Sequence, residues 1–206
     1  MGGINSEAES AVEQACKAGE LDLAATRALE AYGPEILSFL GARLRSSSDG
    51  DEAFSMFAED LWKGLPAFGF RCSVRGYLYT LARNAANRWA ASPANRQNRN
   101  LSVSAQASLS ALRMHTRTAT EIYKRTDVKD KIRALREELP DEDQTILILH
   151  VDRGLPWREI AMVLSEQGEA LDDDGIDRES ARLRKRFERV KAELKALATK
   201  AGLLGS

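Results

Sequence analysis

The sequence has few cysteines and no pattern of metal ligands. Cys16 and Cys72 lie far apart in the chain, so we expect no structural disulfide, and a reducing, cytoplasmic compartment is favoured. His115 and His150 have no spaced partners, and no Cys-x-x-Cys pair occurs. We therefore expect neither a metal site nor a cofactor.

Long apolar runs and strand-like alternation are also missing. No run approaches the roughly 20 apolar residues of a membrane-spanning helix, and the first residues lack the basic-then-apolar order of a signal peptide. Sustained alternation of apolar and polar residues, typical of β-strands, does not occur. No nucleophile–base group or phosphate-binding loop is present. These absences predict a soluble, all-α protein that is not an enzyme.

Positive charge is balanced overall but concentrated near the C-terminal end. The formal net charge is −1, yet residues 176–206 hold nine Lys and Arg against four Asp and Glu, a net charge of +5. Residues 131–175 hold five Lys and Arg against twelve Asp and Glu, a net charge of −7. Cations gathered on one element can bind a phosphate backbone even when the whole chain is near neutral.

The basic C-terminal segment has the pattern of an amphipathic helix. Leu183, Phe187, Val190 and Leu194 recur at helical spacing and predict one buried stripe. Several cations fall on or beside the opposite face: Arg182, Lys185, Arg186 and Arg189. A helix that packs with one face and is cationic on the other suits the major groove of DNA. An ordinary solvated surface helix has the same pattern.

Two further helices are predicted upstream of this basic helix. Leu139-Pro140 followed by acidic residues starts the first, and Gly154 ends it. Pro156 opens the second, a short helix from Trp157 to about Ser165. Helix, turn, short helix, loop and basic helix is the order of a helix-turn-helix DNA-binding unit. An acidic loop at 166–176 replaces the usual tight turn, and we expect Asp177 or Glu179 to cap the basic helix.

The composition divides the chain into two helical domains and a linker. Apolar stripes at helical spacing, such as Tyr32, Ile36 and Leu44, predict a helical bundle within residues 1–91. Residues 92–126 are rich in Ser, Asn, Gln, Ala and Arg, which predicts a flexible, basic linker. The helix-turn-helix unit then lies in a second domain at 127–206.

Residues 68–84, Phe-Gly-Phe-Arg-Cys-Ser-Val-Arg-Gly-Tyr-Leu-Tyr-Thr-Leu-Ala-Arg-Asn, resemble the region-2 signature of bacterial extracytoplasmic-function (ECF) sigma factors. The helix-turn-helix that opens at Leu139-Pro140 is similar to region 4 of that family. The resemblance covers nearly all of residues 28–200, with both halves in the family's order. One departure lies at Ser55-Met56, where the family usually has Gln followed by an acid.

The resemblance implies a sigma factor that binds core RNA polymerase, recognises the −10 and −35 promoter elements and helps to open the duplex. Residues implied to hold the −10 strand are Arg75, Tyr79, Arg83, Asn84 and Asn87. Residues implied to contact the −35 element are Ser180, Arg182, Arg184, Lys185, Arg186 and Arg189. The polymerase would contact the Asp51–Trp62 helix through Asp51, Glu52, Phe54, Ser55, Glu59 and Trp62. An anti-sigma factor is a further candidate partner.

Two other functions fit the sequence. A stand-alone helix-turn-helix regulator would bind an operator by itself, typically as a dimer on a two-fold symmetric site. A sigma-like protein that binds polymerase or an anti-sigma factor without reading DNA is kept open by Ser55-Met56.

Overall fold

The computed structural model describes residues 5–93, 131–165 and 172–203. Within these ranges the chain is helical and contains no β-strand, which confirms the predicted all-α class. The helices are α1 (Ser6–Lys17), α2 (Leu21–Leu44), α3 (Ser47–Gly64), α4 (Val74–Ala91), α5 (Asp141–Leu147), α6 (Trp157–Leu164) and α7 (Asp173–Lys200). Residues 131–137 are also helical, and a π turn, Ile148–Asp152, follows α5 directly.

Polar side chains cap four of these helices, and three of the caps lie in the N-terminal part of the chain. Asn5, Ser46 and Ser73 accept hydrogen bonds from the first-turn N–H groups of α1, α3 and α4. Such caps satisfy backbone donors that have no partner inside the helix.

Nearly all of the predicted linker at 92–126, and residues 166–171 of the acidic loop, lie outside the described residues.

The basic helix α7 begins earlier than the sequence predicts. Asp172, not Asp177 or Glu179, is its N-cap, and its Oδ1 atom accepts a hydrogen bond of 2.7 Å from the N–H of Gly175. Asp173 and Asp174 follow in the first turn, where the helix dipole favours negative charge. The end of the predicted acidic loop is therefore the first turn of the helix.

The helices form two groups that pack directly against each other. The N-terminal group consists of α1–α4, and the C-terminal group consists of residues 131–137 and α5–α7. Helix α6 packs on α4, and α5 packs on α2. Buried side chains from both groups, such as Phe39, Leu78, Ile146 and Ile160, belong to one contiguous cluster. Among the described residues, no helix combines the length and apolarity needed to cross a bilayer.

Candidate nucleic-acid interface

Helix α7 packs through the apolar stripe that its spacing predicts. Leu183, Phe187 and Val190 are buried against the rest of the C-terminal group. Arg184, Lys185 and Arg189 are exposed. These three cations therefore face solvent, where a phosphate backbone could reach them.

Two other predicted DNA contacts on α7 are paired with acidic side chains. Arg186 forms ion pairs with Glu142 and Asp143 on α5, and only 21% of its side chain is exposed. The hydrogen bond that Arg186 donates to Asp143 raises the pKa of the Arg186 guanidinium. Arg182 pairs with Glu179 at 2.6 Å and more distantly with Glu142, and the hydrogen bond to Glu179 raises its pKa. Arg186 thus joins α5 to α7, whereas Arg182, with 54% of its side chain exposed, stays at the surface.

Ser180 is not at the surface, although the sequence assigned it to DNA contact. Its hydroxyl donates a 2.7 Å hydrogen bond to the carbonyl oxygen of Ile176, one turn earlier. The residue is buried because it lies three positions before Leu183, on the same helical stripe. In this conformation its side chain is not accessible to DNA.

Two predicted contacts on α4, Arg75 and Tyr79, are also buried. Arg75 is only 1% exposed. Its guanidinium forms an ion pair with the Oε1 atom of Glu35 on α2, and its Nε–H donates a 3.1 Å hydrogen bond to that atom. The hydroxyl of Tyr79 donates to that atom as well. Burial acts to lower the pKa of Arg75, but the hydrogen bond and charge of Glu35 outweigh it, so the pKa is raised. Burial and the bond to Glu35 raise the pKa of Tyr79.

The N-terminus of α4 is capped by a carboxylate that sequence reasoning missed. Glu9 on α1 accepts hydrogen bonds from the backbone N–H groups of Val74 at 2.6 Å and Arg75 at 3.0 Å. It also accepts one from the hydroxyl of Tyr32 at 2.9 Å. Glu9 lies more than sixty residues before α4, and no local pattern could have indicated this contact.

The remaining predicted contacts of α4 lie toward its C-terminal end. Arg83 is half-buried and donates to the carbonyl oxygens of Val163 and Ser165 in the C-terminal group, both at 3.4 Å. Asn84 is half-buried and Asn87 is exposed. The side-chain oxygen of Asn87 accepts a 2.9 Å hydrogen bond from Arg43 on α2. Helix α4 thus brings polar side chains to the boundary between the two groups.

The outer face of α3 carries the predicted polymerase contacts. Asp51, Glu52, Ser55 and Glu59 are exposed. Trp62 is 55% exposed, which is a large apolar surface left in water. Phe54 instead is half-buried and packs on the ring of Phe57, with 5.3 Å between the centroids. Phe54 therefore belongs to the helix packing, and the other five residues form an acidic surface around one aromatic ring.

The part of the chain that the structure describes contains no group of three or more His, Cys, Asp or Glu side chains that could hold a metal ion.

The chain matches no model of a protein family, and no curated protein and no solved structure is significantly similar to it.

Proposed function

We propose that this chain is an RNA polymerase sigma factor of the ECF type, which binds core polymerase and directs it to promoters. One observation carries the proposal. The chain combines the residue pattern of 68–84 with two helices further along the chain, the short helix α6 and the long helix α7, which has an exposed basic face. Neither feature alone indicates a sigma factor, but their order matches that family.

Helix α7 would read the −35 element in this proposal. Arg184, Lys185 and Arg189 are exposed on a helix held by its opposite face, and such a helix can enter a major groove. Arg182 stands beside them at the surface. The ion pairs of Arg186 with α5 fix the helix against its support, so Arg186 would orient α7 and leave base contacts to its neighbours.

Helix α4 would hold the −10 element as a single strand. Cationic and amide side chains bind strand phosphates and base edges, and Arg83, Asn84 and Asn87 are of these types. Arg75 and Tyr79 would act from within the helix packing by fixing α4 to Glu35. Polymerase would bind the acidic face of α3 around Trp62.

Co-elution with bacterial core RNA polymerase in size-exclusion chromatography, without DNA, tests this function. We expect a stable complex that is lost on charge reversal at Asp51 and Glu52, because both side chains are exposed on α3. The matched control reverses Glu20 and Glu30, two exposed acids on a different surface. A chain that never co-elutes with polymerase would contradict the proposal. Equal loss with the control pair would remove α3 as the contact.

A stand-alone helix-turn-helix regulator is the second candidate. The observation that favours it is that the cations of α7 face solvent while Arg75 and Tyr79 of α4 do not. A regulator of this kind would shift duplex DNA by itself in an electrophoretic assay. Specific retardation of a duplex by the isolated chain, without polymerase binding, would replace the sigma proposal with this one.

A further inference from the structure

A cavity of about 870 Å³ lies between α2 and the C-terminal group. One face of α2 lines it with residues at helical spacing: Pro34, Leu37, Ser38, Gly41 and Ala42. The C-terminal group contributes Arg133 and Arg136 from the helix at 131–137 and Ile148 from the π turn. Pockets that hold small molecules measure roughly 300 to 1,000 Å³. The cavity therefore has the size of a ligand site.

The cavity is open because α2 carries small residues on this face. A methyl group added to Gly41 would meet no heavy atom within 4 Å. The backbone of Gly41 is nevertheless in close contact with α3, since a methyl group on Gly50 would lie 2.9 Å from its Cα atom. The open space beside Gly41 is thus a property of the cavity wall and not a sign of loose packing between α2 and α3.

Apolar side chains of the cavity remain in contact with water. Leu37 is 38% exposed, Pro34 and Ala42 are exposed, and Ile148 is half-buried. A ligand that covers such surface removes apolar area from water, which favours binding. The body of the ligand should therefore be apolar.

The charged residues of the lining are three arginines and three acids: Arg45, Arg133, Arg136, Asp51, Glu137 and Asp152. Arg136 is paired with Asp152 at 2.8 Å. Arg45 donates a 3.0 Å hydrogen bond to the backbone carbonyl oxygen of Glu137 and has no carboxylate partner among the described residues. A guanidinium carries several N–H donors, so Arg45 has donors left for a ligand.

The surroundings of Arg45 favour a negative group on that ligand. Arg45 follows the last residue of α2, and Ser46 and Ser47, which also line the cavity, begin α3. The dipole of α3 favours negative charge at this end of the helix. Asp51 and Glu137 are exposed, so water and salt screen their charges.

We propose that the cavity binds a small aromatic anion, with its rings against Leu37, Ala42 and Ile148 and its acidic group on the guanidinium of Arg45. Arginine suits both parts of such a ligand, because its planar guanidinium stacks on aromatic rings and pairs with anionic groups. Binding at this site needs neither polymerase nor DNA, so its test is independent of the proposed function.

Fluorescence titration of the full chain with 8-anilinonaphthalene-1-sulfonate, an aromatic anion, tests the site. We expect saturable binding with a stoichiometry of one probe per chain. N-phenyl-1-naphthylamine has the same rings without the sulfonate, and we expect it to bind about tenfold less tightly. A hydrogen bond to a charged group contributes about that factor in affinity.

Two substitutions on α2 alter the cavity in different ways. Gly41→Leu fills it from a helical position at which leucine is intrinsically favoured over glycine. We expect it to weaken both probes about tenfold, because the leucine occupies the space of the rings. Arg45→Asn removes the guanidinium, and asparagine tolerates the left-handed backbone at this position, where φ is 56°. It should weaken the sulfonate alone. Ala42→Leu is a second filling variant, and urea midpoints verify that each variant is folded.

Two control variants lie outside the cavity. Ala31→Leu adds a leucine at an exposed position of α2, and Arg178→Asn removes an exposed arginine of α7. Both should bind the sulfonate as wild type does. Unchanged sulfonate binding in the filling variants would place the probe elsewhere and overturn the site.

The same titrations distinguish other occupants of the cavity. Equal affinity of wild type for the neutral probe, or unchanged sulfonate binding in Arg45→Asn, would show an apolar cavity that does not select an anion, and would overturn the proposal. Weaker probe binding at higher protein concentration, together with a dimer in light scattering, would show that a second copy of the chain fills the cavity instead.

Discussion

At the scale of single residues, Glu35 on α2 binds two side chains of α4, a contact that no local sequence pattern predicts. It accepts hydrogen bonds from both Arg75 and Tyr79, and it neutralises a guanidinium that is almost fully buried. Without Glu35 the cation of Arg75 would remain buried without its ion-pair partner. An uncompensated buried charge is among the costliest defects in a folded protein.

We predict that Glu35→Ala lowers the free energy of unfolding by about 3 kcal/mol, the lower end of the range for breaking a buried ion pair. The lower end applies because 22% of the Glu35 side chain is exposed to water. Urea unfolding followed by circular dichroism measures the change. Glu30→Ala on the same helix is the control, since Glu30 is exposed. Equal losses in the two variants would show that Arg75 does not depend on Glu35.

Glu159 has the opposite character, because its charge is unfavourable where it lies. Burial raises its pKa, the Ser73 hydroxyl and the charge of Arg75 lower it, and the charge of Glu9 raises it, with a net increase above 4.5. The folded protein therefore keeps a proton on Glu159 at pH values where the unfolded chain has lost it. Stability then falls as pH rises from about 4.5 through the raised pKa.

We predict that Glu159→Gln stabilises the protein above this pH window, and that the gain shrinks as pH falls toward 4.5. Urea midpoints measured for wild type and variant across the pH range give the difference directly. Glu59→Gln, at an exposed position of α3, is the control for replacing a surface carboxylate by an amide. A gain for Glu159→Gln that grows on acidification would contradict the sign of the pKa shift.

At the scale of helices, α7 divides its cations between structure and surface. Arg184 and Lys185 are exposed, whereas Arg186 is tied to Glu142 and Asp143 on α5. Each cation that contacts a phosphate releases counter-ions from DNA, which makes binding depend on salt. Neighbouring cations of one helix should therefore behave differently in binding experiments.

We predict that Arg184→Ala with Lys185→Ala makes duplex binding less dependent on salt. The plot of log affinity against log salt concentration should become less steep by about 1.8, which corresponds to two lost phosphate contacts. The folded stability should change little. Arg186→Ala is the comparison, and we expect it to lower the urea midpoint because it leaves Asp143 buried without its cation. The reverse outcome, with Arg186→Ala changing only the salt slope, would place Arg186 on DNA.

The helices and their buried stripes could be predicted from sequence because those patterns are local. The spacing of Leu183, Phe187 and Val190 alone indicated which face of α7 is buried. The same spacing placed Arg186 near the exposed face and could not indicate its acidic partners, which lie more than forty residues earlier. The cap at Asp172 was missed because the run of acids resembled a loop.

The burial of Arg75 and Tyr79 was beyond local reasoning for a similar reason. Both look like surface residues when only their own helix is considered. Their burial depends on Glu35 from α2 and on the backbone of Arg153 from the other helix group. Contacts between groups set which cations of α4 are accessible, and a pattern within one helix carries no information about them.

At the scale of the whole molecule, the contiguous cluster of buried side chains links the stability of the two groups. Helices α4 and α6 share this cluster, and hydrogen bonds of Arg75, Arg83 and Arg153 cross the boundary. When groups share a core, exposing one of them removes packing from the other. Such coupling makes unfolding a single cooperative transition.

Tryptophans in each group report on this coupling. Trp89 lies in α4, and Trp157 packs against His150 with 4.0 Å between ring centroids in the C-terminal group. We predict that two single-tryptophan variants, one keeping Trp89 and one keeping Trp157, show coincident urea transitions by fluorescence. Arg153→Asp added to each should separate the two transitions, because it weakens the contact between the groups and leaves each interior unchanged.

The control for this comparison is Lys195→Asp in the same two backgrounds, which should leave the transitions coincident because Lys195 is exposed on α7. Separate transitions without Arg153→Asp would show that the groups unfold independently, and the shared cluster would then contribute little coupling. Coincidence that survives Arg153→Asp would locate the coupling in the apolar contacts of α4 with α6. In that case the polar contacts would set only the orientation of the groups.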